Sequence, residues 1–104
     1  MSALRVARLD DLPAGRPTLV EANGLRLVLA RVKDDVFACQ DACAHRGGPL
    51  SEGTMKEGGI VCPWHSSRFD VENGHVLDGP ATFPQPCFAT RVRDGQIEIG
   101  PRRR

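Results

Sequence analysis

At both ends of the chain, apolar and β-branched residues alternate with polar ones. A period of two is the spacing of a strand that buries one face. Pro17 to Ala22 and Leu25 to Val32 flank Asn23-Gly24. That pair tolerates positive φ at both central turn positions and so predicts a two-residue hairpin. Asp94-Gly95 plays the same part between Ala89–Arg93 and Gln96–Ile99, and Val36 to Gln40 reads as a further short strand after the Lys33-Asp34-Asp35 turn. There is no internal repeat and no long helical pattern, so the expected architecture is mostly β.

The middle of the chain breaks this pattern. Residues 41 to 82 hold seven of the eleven glycines, and their apolar residues are scattered rather than periodic. This reads as loop-rich chain. A segment with so little aliphatic content does not easily offset its own ordering entropy, so another source of stabilisation, such as a bound metal centre, is expected inside it.

A length of 104 residues supports one domain, and 40% hydrophobic with 26% charged residues is the mix of a soluble globular protein. No apolar run is long enough for a membrane span, and MSALRVARLDD lacks the apolar core of a secretory signal, so no membrane partner and a cytoplasmic location are expected. In that compartment four cysteines point to metal or redox chemistry rather than to a disulfide framework. The formal net charge of +1 offers no electrostatic footprint for nucleic acid, which is not expected as a partner. The basic excess sits in Arg102, Arg103 and Arg104, read as a solvated tail in preference to a docking element for an acidic partner.

Candidate chemistry concentrates at Cys43-Ala44-His45 and, after sixteen intervening residues, at Cys62-Pro63-Trp64-His65. Each half offers one thiolate and one imidazole. Two such pairs on two loops suit a binuclear iron centre in which one iron takes both sulfurs and the other both nitrogens. Neutral imidazoles leave such a cluster less negative than four thiolates would, which raises its potential. A structural zinc site also accepts two Cys and two His. Zinc fingers usually space paired ligands by two to five residues, however, and Cys-x-His is tighter than that.

At these residues the sequence resembles the Rieske family, most closely its soluble ferredoxins and ferredoxin-like domains. C-x-H and C-x-x-H match at Cys43, His45, Cys62 and His65, and CPWHSSRFDVENGHVLDGPA resembles the family's second ligand loop and the proline-containing loop after it. The resemblance implies one 2Fe-2S cluster on those four residues. It also implies an all-β fold in which a cluster-binding subdomain, about residues 41 to 82, is inserted into an antiparallel β-sandwich base.

The resemblance carries finer expectations. Rieske subunits of cytochrome bc complexes pair an extra cysteine from each ligand loop as a disulfide, and the matching positions here are Gly48 and Trp64, so that disulfide is absent. Those subunits place a tyrosine where this chain has Phe69, which removes a hydroxyl donor to a ligand sulfur and implies a potential at the low end of the family's range. Ser66 stands where the family commonly has glycine, and it is strained if the position requires positive φ. Ser67 matches a serine that donates to a bridging sulfide, with an ordinary turn serine as the alternative. Asp78-Gly79-Pro80-Ala81 resembles the loop covering the cluster, and Trp64 is expected to shield one side of it.

Three residues fall outside this set. His75, after the Glu72-Asn73-Gly74 turn, reads as a solvated histidine rather than a proton-coupled group. Cys39 and Cys87 read as small buried hydrophobes rather than as a disulfide.

The chain has no nucleotide fingerprint, flavin pattern or mononuclear iron triad, so it is expected to carry single electrons and not to complete a substrate reaction alone. The resemblance implies a flavoprotein reductase that draws on NAD(P)H as donor and a terminal oxygenase as acceptor, with His45 and His65 near the surface facing the partner. The alternatives are a small Rieske-like subunit of an assimilatory nitrite reductase and a redox-sensing or purely structural cluster domain.

Overall fold

The Asp94-Gly95 pair takes φ values of 52° and 74°, the left-handed conformation of a tight hairpin turn, and Arg93 closes it opposite Gln96. Gly24, at φ 80°, lies in the turn between Ala22 and Leu25, which are likewise paired. These turns belong to a computed structural model that describes residues 4–22, 24–33, 35–43, 47–64, 66–79 and 85–102.

The described residues form ten strands in order: β1 (Leu4–Arg8), β2 (Thr18–Ala22), β3 (Leu25–Val32), β4 (Asp35–Gln40), β5 (Thr54–Lys56), β6 (Gly59–Val61), β7 (Arg68–Asp70), β8 (Val76–Asp78), β9 (Cys87–Arg93) and β10 (Gln96–Arg102). Six of them form one sheet in the order β1-β10-β9-β4-β3-β2, and β5-β6-β7-β8 form a second. All the ladders are antiparallel. The larger sheet curls until its outermost strands β1 and β2 come within 8 Å of each other. The smaller one lies wholly in the chain between β4 and β9, which are neighbours in the larger sheet.

Period-two alternation on β3 and β4 serves two cores. Leu27, Leu29, Val36 and Ala38 face one way and pack with Leu12, Ile97 and Ile99 inside the larger sheet. Val28, Ala30 and Cys39 face the other way and pack with Cys87 and, from the central segment, Leu50, Ile60, Phe69, Val71, Cys43 and Cys62. This explains the unbroken apolar run Leu27–Ala30: both faces of the strand are covered there.

The reading of residues 41–82 as loop-rich chain short of aliphatic content is corrected by this second core. The segment carries four three-residue strands and its own buried Leu50, Ile60, Phe69 and Val71. Strands this short are too brief to display a period. The Glu57-Gly58 turn, at φ 48° and 78°, closes β5 onto β6 without the Asn-Gly or Asp-Gly signature.

Candidate metal centre

Cys43 and Cys62 come from two separate loops and meet in the second core. Cys43 follows the bridge between Ala42 and Pro49, and Cys62 directly follows β6. Both are buried, at 4% and 1% exposure. Each loop closes on itself in the same way. The Cys43 N–H donates to the Gly48 carbonyl at 2.8 Å and the Cys62 N–H to the Ser67 carbonyl at 2.8 Å. Within them, Gly47 at φ 77° and Ser66 at φ 62° turn the chain back. Ser66 therefore sits in the left-handed region that its family position suggested.

The two thiols lie within hydrogen-bonding reach of each other. Burial pushes the Cys62 thiol up to about 11; a hydrogen bond and the charge of Cys43 act in the same direction, and a backbone hydrogen bond from Trp64 opposes them. An N–H directed at a sulfur favours its thiolate, the form that binds metal. Two adjacent buried thiols with such a donor are a fitting sulfur half for an iron–sulfur site. His45 and His65 lie outside the described residues, and among the described residues no third metal-ligating side chain joins the two cysteines.

Space around the sulfurs is tight. A Cβ on Gly48 would lie 2.9 Å from the Cys62 sulfur and 2.9 Å from Cγ of Trp64, so the position opposite Trp64 has no room for a side chain. Trp64 packs over Gly48 with 51% of its surface still exposed, so it covers the site from outside and is not buried within it. Phe69 is buried in the same core as both cysteines. Ser67 is fully buried, and its carbonyl closes the second loop. His75 is exposed, as expected. Of the loop expected to cover the cluster, Pro80 and Ala81 lie outside the described residues, while Asp78 bonds Arg68 at 2.7 Å.

Sequence reasoning missed two residues that hold the first loop. Gln85 is fully buried, and its Nε2 donates to the carbonyls of Gln40 and Ala42, just before Cys43. Its backbone N–H reaches the Gly74 carbonyl at 2.7 Å, where a Cβ on Gly74 would meet the Gln85 carbonyl oxygen at 2.1 Å. Asp41 is also buried. It accepts the Ser51 N–H on Oδ1 at 2.8 Å and the Leu50 N–H on its carbonyl at 2.9 Å. A polar residue between two prolines, as in Pro84-Gln85-Pro86, carries no pattern that marks it as buried.

Comparison with known proteins places this geometry. A family model described as the Rieske [2Fe-2S] domain matches residues 2–89. The ferredoxin component of the naphthalene 1,2-dioxygenase/salicylate 5-hydroxylase systems of Ralstonia sp is 37% identical over 93 residues, covering 89% of this chain and 89% of that protein. The ferredoxin of carbazole 1,9a-dioxygenase from Nocardioides aromaticivorans IC177 superposes with a TM-score of 0.93 at 31% identity, covering 97% of this chain and 99% of that one. The ferredoxin fold also matches, with a TM-score of 0.88 at 32% identity and coverage of 94% and 92%, in a structure described as a complex of reduced oxygenase and oxidized ferredoxin in carbazole 1,9a-dioxygenase. Together with the two matching cysteine loops, these findings show that the chain belongs to the Rieske [2Fe-2S] domain family, whose cluster is its cofactor.

Proposed function

We propose that this protein is a one-electron ferredoxin that takes electrons from a flavoprotein reductase using NAD(P)H and delivers them to a terminal oxygenase. The observation that carries this reading is the pair of loops, closed alike, that bring Cys43 and Cys62 together in one buried core. The whole-length match to ferredoxin components of dioxygenase systems supports it over a nitrite reductase subunit.

Cys43 and Cys62 would supply the sulfur ligands and His45 and His65 the nitrogen ligands. When bound, the cluster takes up and releases one electron at a time. The chain's own residues do the rest. Gly48 lets Trp64 close over the Cys62 sulfur, the Trp64 backbone N–H favours the thiolate form of that sulfur, and Gln85 and Asp41 hold the loop that carries Cys43. Residues 41 to 82 are read as the cluster-binding subdomain, inserted between β4 and β9. No helix among the described residues is long and apolar enough to cross a membrane, which agrees with a cytoplasmic carrier.

Iron and sulfide analysis with EPR of the reduced protein tests the ligand set: Cys43→Ser and His65→Ala should each lose the Rieske signal. For the role, the pure protein should turn over no organic substrate yet speed electron flow from a reductase to an oxygenase. Stoichiometric zinc, or substrate oxidation without a reductase, would overturn the reading.

A further inference from the structure

Cys39 and Cys87 lie outside the metal centre, and nothing so far uses them. They are opposite each other on β4 and β9, both 3% exposed, with their sulfurs 3.0 Å apart. The next pair along, Gln40 and Pro86, is linked by the Gln40 N–H to the Pro86 carbonyl at 2.9 Å. Antiparallel pairs alternate, so Cys39 and Cys87 form a non-hydrogen-bonded pair, the closer kind, with Cα atoms about 4.5 Å apart. A disulfide spans Cα separations of roughly 4.4–6.8 Å with an S–S bond of about 2.04 Å, so the sulfurs need to approach by only about an ångström.

The surroundings hold the thiols in this arrangement. A Cβ on Gly74 would lie 2.8 Å from the Cys87 sulfur, and that sulfur is 3.4 Å from the Gln85 carbonyl oxygen. The residues lie 48 apart in sequence. The chain between them includes the whole smaller sheet and all four ligand positions.

We propose that Cys39 and Cys87 are a redox modification site, a dithiol that a small-molecule disulfide of the glutathione class converts to a cross-strand disulfide tying together the two ends of the cluster-binding segment. A cysteine thiolate attacks one sulfur of the oxidant and releases the first small thiol. The second cysteine then attacks the protein sulfur of the mixed disulfide and releases the second. The two cysteine protons end on the two released thiols; the cysteine sulfurs are oxidised and the small disulfide is reduced. The thiol–thiol hydrogen bond, followed by burial, pushes Cys39 far above the ordinary cysteine range, so the exchange is slow and proceeds as the β4–β9 joint opens. Among the described residues that joint is short: two registered pairs, Ala38 with Phe88 and Cys39 with Cys87, beside the Gln40–Pro86 hydrogen bond and the Thr90 hydroxyl on the Val36 carbonyl. The disulfide itself does not depend on the ligand assignment; its effect on the cluster segment rests on the proposed function.

Holoprotein is incubated anaerobically with oxidised glutathione, its visible absorption is followed, and it is then quenched in acid and unfolded with N-ethylmaleimide for tryptic mapping. The expected product joins residues 34–46 to residues 69–91 through Cys39 and Cys87, with Cys43 carrying the maleimide, while the cluster absorption persists. After chelation of the iron, the amides of Ile60 and Phe69 should exchange at least tenfold more slowly in the oxidised protein than in the reduced protein. Maleimide on all four cysteines, or a crosslink only in samples whose cluster has bleached, would overturn the site. Equal exchange in the oxidised and reduced apoproteins would overturn its effect. Neither result touches the ligand assignment, which iron analysis of Cys43→Ser reads separately.

Discussion

Gly47 and Ser66 hold the same position in the two cysteine loops. Each lies one residue before the carbonyl that accepts its cysteine's N–H, and each has positive φ, 77° and 62°. The two loops are thus local copies of one turn. Glycine meets its demand at no steric cost, and serine meets it with strain.

Ser66→Gly should therefore stabilise the protein, by about 0.5–1 kcal/mol after allowing for the greater freedom of glycine in the unfolded chain. A Cβ at Gly47 would meet nothing within 4 Å, so Gly47→Ala should cost only the backbone strain less the stiffening of the unfolded chain, about 0.5–1 kcal/mol. Thermal unfolding of the holoprotein should show midpoints moving in opposite directions for the two variants. Equal and unchanged midpoints would contradict the shared geometry.

Removing the buried amide of Gln85 should loosen the first loop. Gln85→Leu leaves the Gln40 and Ala42 carbonyls without this donor, at a cost of about 1–3 kcal/mol. Iron release to a chelator should accelerate while the far-ultraviolet dichroism stays unchanged. Wild-type release kinetics would place the control of the loop elsewhere.

The redox potential should sit at the low end of the Rieske range, near −150 mV rather than +300 mV. Phe69, buried beside both cysteines, offers no hydroxyl to a cluster sulfur, and a hydrogen bond to sulfur favours the more negative reduced state. A bond worth about 1.4 kcal/mol to the reduced form corresponds to roughly 59 mV for one electron. Phe69→Tyr should raise the potential by tens of millivolts, and Ser67→Ala should lower it if the hydroxyl bonds a sulfide. Voltammetry of the three proteins at one pH decides this. A wild-type value well above zero would contradict the ferredoxin reading.

Removal of the cluster should unfold less of the central segment than its sequence suggests. Leu50, Ile60, Phe69 and Val71 pack with Val28 and Ala30 of β3 in one buried apolar cluster that extends beyond the two cysteines. In the reduced apoprotein, hydrogen exchange should therefore speed up most at residues 43–48 and 62–67. The amides of Ile60 and Phe69 should lose less protection. Uniform loss from 41 to 82 would show that metal binding and the whole segment fold together.

Much of this architecture is legible in the sequence. The Asp94-Gly95 turn and the Leu25–Val32 strand appear where turn chemistry and alternation placed them, because both signals are local. So are the two candidate ligand motifs: the Cys-x-His and Cys-x-x-His spacings are set by neighbours in the chain, and they lie within the stretch that matches the Rieske family.

The central sheet was not legible, since three-residue strands are too short to show a period and their pairing depends on contacts far along the chain. The same holds for Gln85 and Asp41, whose burial arises only when the segment after β4 folds back beside the start of β9. The meeting of Cys39 with Cys87 across 48 residues is decided by the register of β4 against β9. By itself the sequence determined the turns, the long strands and the identity of the candidate ligands, because those depend on φ preferences and spacing within a few residues. Only the tertiary structure decided which loops close over which sulfurs and which thiols touch, because strand register and burial are properties of the whole packed chain.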